Sequence, residues 1–356
     1  MNNPQNIAIL GTGIMGLMVA YFIKSRLPNI ALSLYDRQIF PQDNASSKAG
    51  GMLAPYAELD HMPHRFLPAA LRSIEIWQDI QDTLKTDFEL QQNGSLILAH
   101  PEDKHLLSRL SGILPKDKNW RAVQAKDIQA LECDLDTQTF QSGLLLQSEA
   151  HLHPRKTMHA LYRSLPDITQ TSTTPDALAQ DFDLVIDCRG MGAKQDLVDL
   201  RGVKGEIMIV HNPEFKLSRP VRLMHPRYPL YIVPREGNIF MIGATIIESE
   251  ENENVSMRSA MELQSALYSL HPSFAESDIL EMCAGTRPAF ADNMPEITIR
   301  DNIMSCNGLF RHGFLLSPII AQSIVDYIQE HQNPYLDLFL KDRANADTTE
   351  RQALRA

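Results

Sequence analysis

The chain has 356 residues, 44% hydrophobic and 22% charged, enough for two ordinary cores and without the bias of a disordered or fibrous protein. Its formal net charge of −11, with no dense Lys/Arg block, excludes nucleic acid and an anionic membrane as main partners, since both demand a basic face. Cys133, Cys188, Cys283 and Cys306 are far apart with no CxxC pair, and read as reduced thiols of a cytoplasmic protein rather than a disulfide framework or zinc site.

Taken in chain order, Ile7-Ala8-Ile9-Leu10 is a short apolar run suited to a buried parallel strand. It leads into Gly11-Thr12-Gly13-Ile14-Met15-Gly16, a G-x-G-x-x-G turn, and then an apolar helical pattern through Leu17, Ala20, Tyr21 and Ile23. Residues 30–35 read as a second strand ending at Asp36. Each part serves a dinucleotide. Gly11 permits the tight turn, Gly13 lets backbone approach a pyrophosphate, and Gly16 lets helix pack close to strand. The helix N-terminus offers unpaired N–H groups to phosphate, and Asp36, twenty residues past Gly16, is placed to accept from a ribose diol. An acid there disfavours NADP but does not separate FAD from NAD. The stretch Ile7 to Ile23 is nearly uncharged, yet no Lys or Arg precedes it and three glycines interrupt it, so a signal peptide or membrane span is not expected.

The segment from Asn44 through Ser46, Gly50, Gly51, Met52 and Leu53 to Pro55 is small and polar, then apolar. Composition alone makes it an ordinary loop. Its Gly51-Met52-Leu53 end resembles the D-amino-acid oxidase group of flavoproteins, and within it the glycine oxidases of thiamine biosynthesis. Their Ala/Ser-rich stretch passes beside the flavin pyrophosphate and isoalloxazine. The resemblance recurs in order at Asp183 to Gly192, Leu200 to Glu206, Tyr231 to Arg235 with Met241 to Thr245, Gly285 to Ala289, and Asn307 to Pro318. It spans roughly residues 5 to 330.

The resemblance implies an α/β fold class: a Rossmann-type FAD-binding domain with a second α+β substrate domain built on a mostly antiparallel sheet. The expected division is discontinuous, with 1–75, 141–205 and 281–340 binding FAD, 76–140 and 206–280 binding substrate, and 341–356 a polar tail. A helix rich in Ile, Leu and Trp77, a strand over 94–99 and a late helix from Pro318 to Tyr327 are predicted within it. Non-covalent FAD is expected on Gly11, Gly13, Ile14, Met15, Gly16, Asp36, Arg37, Ser46, Gly50, Gly51, Met52 and Gly190, with His312, Gly313, Phe314 and Leu315 at the flavin's pyrimidine edge. Covalent relatives carry a cysteine near the position of Gly285, and Cys283 falls two residues short of it.

A flavin amine oxidase must orient a carboxylate-bearing amine, which calls for a planar arginine clamp. By resemblance Arg287, in Gly-Thr-Arg-Pro, is that clamp, Arg311 lies near substrate and flavin, and the Tyr231 hydroxyl helps hold the carboxylate. No dedicated general base is evident, and hydride transfer needs none beyond loss of the ammonium proton. His61, His64, His151 and His153 have H-x-x-H and H-x-H spacings but no partner acids, and read as solvated or loop histidines with no metal. The expected activity is FAD-dependent oxidation of glycine or a similar small amino acid, with oxygen as acceptor. The alternatives are a D-amino-acid or sarcosine oxidase or dehydrogenase, and a non-catalytic flavin-binding assembly protein. The family's frequent oligomers leave a homo-oligomer open.

Overall fold

The computed structural model describes residues 4–197, 199–224, 229–251 and 254–341. Its contacts divide the chain into two units: the described parts of 1–43, 158–201 and 287–356, and those of 44–157 and 202–286.

In the first unit, β1 (Asn6–Leu10), the helix α1 (Ile14–Arg26) and β2 (Ala31–Asp36) form a right-order β-α-β unit, with β1 and β2 parallel from Asn6↔Ala31 to Leu10↔Tyr35. Strand Leu184–Asp187 lies on the other side of β1, also parallel, followed by Ile303–Asn307 and then antiparallel Glu296–Arg300. Strand Ile168–Gln170 closes the β2 edge, giving six strands among the described residues. Ile7, Ala8 and Ile9 are wholly buried, as a strand covered on both faces requires. Helix α1 is apolar almost all round because it packs along helix Gly313–Ile328 as well as beside the sheet. Pro28 ends α1, and Arg26 in its last turn pairs with Asp326 at 2.6 Å.

The second unit is built on a sheet of nine strands among the described residues, mostly antiparallel, with Val221–Met224 parallel to Ser95–Ala99. Arg201–His211, Ile239–Gly243 and Leu230–Arg235 lie side by side within it. One sheet face, with Met208, Val210, Ile232, Phe240 and Ile242, forms the main core with Leu263, Leu267 and Leu270 of helix Met257–Leu270. The opposite face carries Ile207, Tyr231, Val233 and Met241.

The expected domain cuts move. Residues 44–75 and 141–157 join the second unit because Ser142–Leu146 pairs with both Ser95–Ala99 and Trp120–Gln124, and Met52–Leu53 pairs with Ala150–His151. Glu149 adds a bond from the Ala57 N–H at 2.7 Å. The later cut falls at 286/287 rather than 280/281, because the strand Asp278–Ala289 continues beside Arg201–His211. The helix expected from Pro318 begins five residues earlier, at Gly313, where the Leu316 N–H already reaches the His312 carbonyl at 2.7 Å. The expected tail lies outside the described residues from 342 onward. No helix among the described residues is long and apolar enough to cross a membrane.

Candidate active site

The carboxyl ends of the parallel strands gather the first unit's candidates, as open α/β sheets gather ligand sites. Gly11 sits at φ +92°, and a Cβ there would lie 2.7 Å from the backbone of Arg189. A Cβ on Gly16 would lie 1.9 Å from the Gly11 carbonyl oxygen, so only glycine lets α1 start this close to β1. Ile14 and Met15 are buried in the first turn. Asp36, buried at the end of β2, accepts from the Thr12 N–H at 2.7 Å and the Thr12 hydroxyl at 2.9 Å through Oδ2, and from the Gln38 N–H at 3.0 Å through Oδ1. The Gln42 amide in turn donates to Thr12 Oγ1. The acid therefore braces the glycine turn, and its two oxygens retain lone pairs for a diol. Arg37 is exposed, with its carbonyl accepting from Gln170 at 3.2 Å.

Gly190, at φ +56°, follows strand Leu184–Asp187, and its carbonyl accepts from Asn307 Nδ2 at 3.0 Å. The Phe310 N–H donates to the Pro288 carbonyl at 2.9 Å, which joins the segment of Arg287 to that of Arg311. Both arginines are half-buried. His312, Phe314 and Leu315 are buried where helix Gly313–Ile328 begins. A Cβ on Gly313 would lie 3.5 Å from Ile14, so this helix and α1 start side by side. Neither start has a side-chain cap or an acid in its first turn. Two adjacent uncapped N-termini, over a turn that admits no Cβ, suit a diphosphate bearing an unmodified ribose. FAD fits these residues.

In the second unit, Gly51 at φ +70° passes so close to residues 152–154 that a Cβ would lie 2.1 Å from the Leu152 carbonyl oxygen. Gly50, Met52 and Ser46 are half-buried. Tyr231 is buried and donates to Glu58 Oε1 at 3.2 Å, with the fully buried Arg222 guanidinium 5.6 Å from its ring centre. Nearby, burial pushes the Glu149 carboxyl up to about 7, although it accepts from the Ala57 N–H and the Ser95 hydroxyl.

His61 and His64 are exposed, as expected of loop residues. His151 is not: it lies in the short strand Ala150–His151, opposite Met52, with its backbone bonded to Gln91 in both directions. Burial, with the charge of Arg235, lowers its imidazole to about 3, and that of half-buried His153 to about 4. No group of three or more His, Cys, Asp or Glu that could hold a metal occurs among the described residues. Cys283 is half-buried, and burial pushes its thiol up to about 12.

Pattern reading missed Thr12, Gln42, Glu58 and Arg222. Thr12 occupies a variable position of its motif, and the others lie in a loop, in the 3-10 turn Ala57–Asp60 and on a strand, where nothing local marks them.

The sequence profile of the FAD dependent oxidoreductase (DAO) family matches residues 6–327. The chain belongs to this family. As an FAD-dependent oxidoreductase it binds FAD, and the cradle around Gly11, Asp36 and Gly313 lies within the matched span. It is 38% identical over 322 residues to a provisionally named thiamine biosynthesis oxidoreductase ThiO of Rhizobium etli, covering 90% of this chain and 95% of that one. The glycine oxidase of Bacillus licheniformis is 25% identical, covering 97% and 99%. The crystal structure of glycine oxidase from Geobacillus kaustophilus shares the fold of this FAD-dependent oxidoreductase with a TM-score of 0.80, at 20% identity and coverage of 96% and 98%.

Proposed function

We propose that this FAD-dependent oxidoreductase removes a hydride from the α-carbon of glycine or a similarly small amino acid, in service of thiamine biosynthesis in the cytoplasm. The imine then hydrolyses to glyoxylate and ammonia, or passes on to thiazole synthesis. FAD, held without a covalent link, would supply the two-electron acceptor for that hydride, with oxygen as final acceptor and peroxide as product.

The observation that carries this reading is the bond between Phe310 and Pro288, which joins the two arginine-bearing segments beside the start of an uncapped helix. Arg287 grips the substrate carboxylate through its planar fork, leaving the amine and α-carbon to be set by the remaining contacts. Arg311 adds positive charge nearby. The backbone from His312 to Leu315 offers N–H donors and a helix N-terminus where negative charge accumulates on reduction. The Tyr231 hydroxyl, bonded to Glu58 here, is the second unit's candidate for holding a substrate carboxylate. Solvent takes the ammonium proton, so the site requires no dedicated base. The first unit takes the role of FAD-binding domain and the second that of substrate domain. The curated relatives named for glycine oxidation and for thiamine biosynthesis support the choice of a small amino acid.

A steady-state peroxide assay with glycine, sarcosine, D-alanine and D-proline tests the reading. Glycine is expected to turn over best. Faster turnover of D-proline or D-alanine would instead mark a D-amino-acid oxidase with a roomier pocket.

A further inference from the structure

Strand Leu230–Arg235 places Tyr231, Val233 and Arg235 on one face of its sheet, paired with Gly243, Met241 and Ile239 respectively. Arg235 Nη2 donates to the Gly50 carbonyl at 2.6 Å. That carbonyl belongs to the Gly50-Gly51-Met52 segment. On its other side the segment is held by strand Ala150–His151, through the Met52↔His151 pair and the Leu152 N–H bonded to the Gly51 carbonyl at 3.0 Å. Toward the sheet, Met52 packs on the Ile207, Tyr231, Val233 and Met241 cluster, and a Cβ on Gly50 would lie 2.6 Å from Met241. A cavity of about 290 Å³ opens there, with Ser47 and Ala49 on one wall and Ile207, Ile209 and Met241 on another, and Arg235 lines it too.

A guanidinium is an expensive way to make one contact. Arg235 Nη1 is shielded from solvent and has no hydrogen-bond partner, and no carboxylate pairs with Arg235 among the described residues. Burial lowers the guanidinium to about 10, against the charge of Glu89 nearby, which favours its protonated form. An apolar residue at this place would avoid that desolvation, so a buried polar group left partly unsatisfied needs a reason beyond stability. Its length is what the place uses: the side chain reaches from the sheet past the cavity to the Gly50 carbonyl.

We propose that Arg235 is a positioning residue, a strut that fixes the Gly50–Met52 segment relative to the sheet face carrying Tyr231, and thereby sets the surface on which the flavin rests. The proposal rests on the reading above that this segment lies along the flavin. Without the strut, the Gly50 end of the segment keeps only the apolar packing of Met52 and the pairing with Ala150–His151, and opens more readily while the rest of the unit keeps its fold.

The test compares full-length wild type with Arg235→Met and Arg235→Lys. In the apo-proteins, hydrogen–deuterium exchange of the peptide covering residues 48–54 is measured, followed by FAD affinity and the visible spectrum of bound flavin. Arg235→Met is expected to exchange faster in that peptide, to bind FAD about tenfold more weakly (the loss of one charge-assisted bond) and to shift the flavin band. Arg235→Lys, which keeps a charged donor, is expected to fall between Met and wild type. Wild-type exchange, affinity and spectrum in Arg235→Met would overturn the strut. Should that variant not fold, Arg235→Gln, too short to reach Gly50, takes its place with the same two outcomes. Wild-type exchange with and without FAD separates the underlying reading: if FAD leaves 48–54 unprotected, the segment does not line the flavin, whereas the apo-protein comparison still judges the strut.

Discussion

At the residue scale, the proposed function makes Arg287 the side chain on which substrate binding most depends. A bidentate arginine–carboxylate pair contributes two charge-assisted bonds, so truncation costs roughly 3 kcal/mol, or about a hundredfold. Arg287→Ala should therefore retain FAD at the wild-type flavin-to-protein ratio while losing about two orders of magnitude in the rate constant for flavin reduction at limiting glycine. Retained glycine turnover would show that the clamp lies elsewhere.

Two buried titratable groups make opposite claims on stability. His151 has its imidazole lowered from 6.5 to about 3, so the folded state excludes a proton that the unfolded chain takes up. Its contribution is present above pH 6.5 and lost as pH falls toward 3, at about 1.4 kcal/mol for each pH unit crossed. Glu149 is raised from 4.5 to about 7, so its contribution is present below pH 4.5 and lost as pH rises through 7. The two offset each other between 4.5 and 6.5, which leaves a steep acid limb below about pH 4.5. Denaturant melts across pH should show His151→Leu flattening that limb, since His151 Nδ1 has no partner to lose. An unchanged limb would assign acid sensitivity to other groups.

At the element scale, the opening β-α-β unit is set by contacts that only glycine allows. Gly16→Ala puts a methyl against the Gly11 carbonyl, which is backbone and cannot step aside without moving the turn. Overpacking of this kind costs roughly 1–3 kcal/mol. The expected result is a lower Tm for the apo-protein and a reduced flavin content after purification; full flavin content would mean the turn relaxes without harm to its phosphate site. This element was legible from sequence because strand, glycines, helix and acid fall in one local pattern. The start of helix Gly313–Ile328 was not. Pro318 suggests a first-turn proline, but at this position it sits a turn further in, where the only intrahelical bond it forgoes is that to the Phe314 carbonyl. His151 was misread for a similar reason: its burial comes from pairing with Met52, almost a hundred residues away, which no local spacing reports.

At the scale of the whole molecule, the discontinuous order of the two units could be anticipated, but their cuts could not. Residues 44–75 follow the first unit's β-α-β element in sequence and belong to the second unit through the pairing of Met52–Leu53 with Ala150–His151 and the bond from the Ala57 N–H to Glu149. Likewise Tyr231, Glu58 and Arg222 come together by topology, so the surroundings of the tyrosine could not be read from its strand alone. The glycine turn, by contrast, is legible as a motif, because Gly16 answers to Gly11 five residues away. The most direct test of an amino-acid oxidase is anaerobic titration of the purified yellow protein with glycine and a small panel of amines, followed through the visible flavin band. Bleaching by glycine, and its loss in Arg287→Ala, is the predicted result. A flavin that dithionite bleaches but no carboxylate-bearing amine reduces would contradict it.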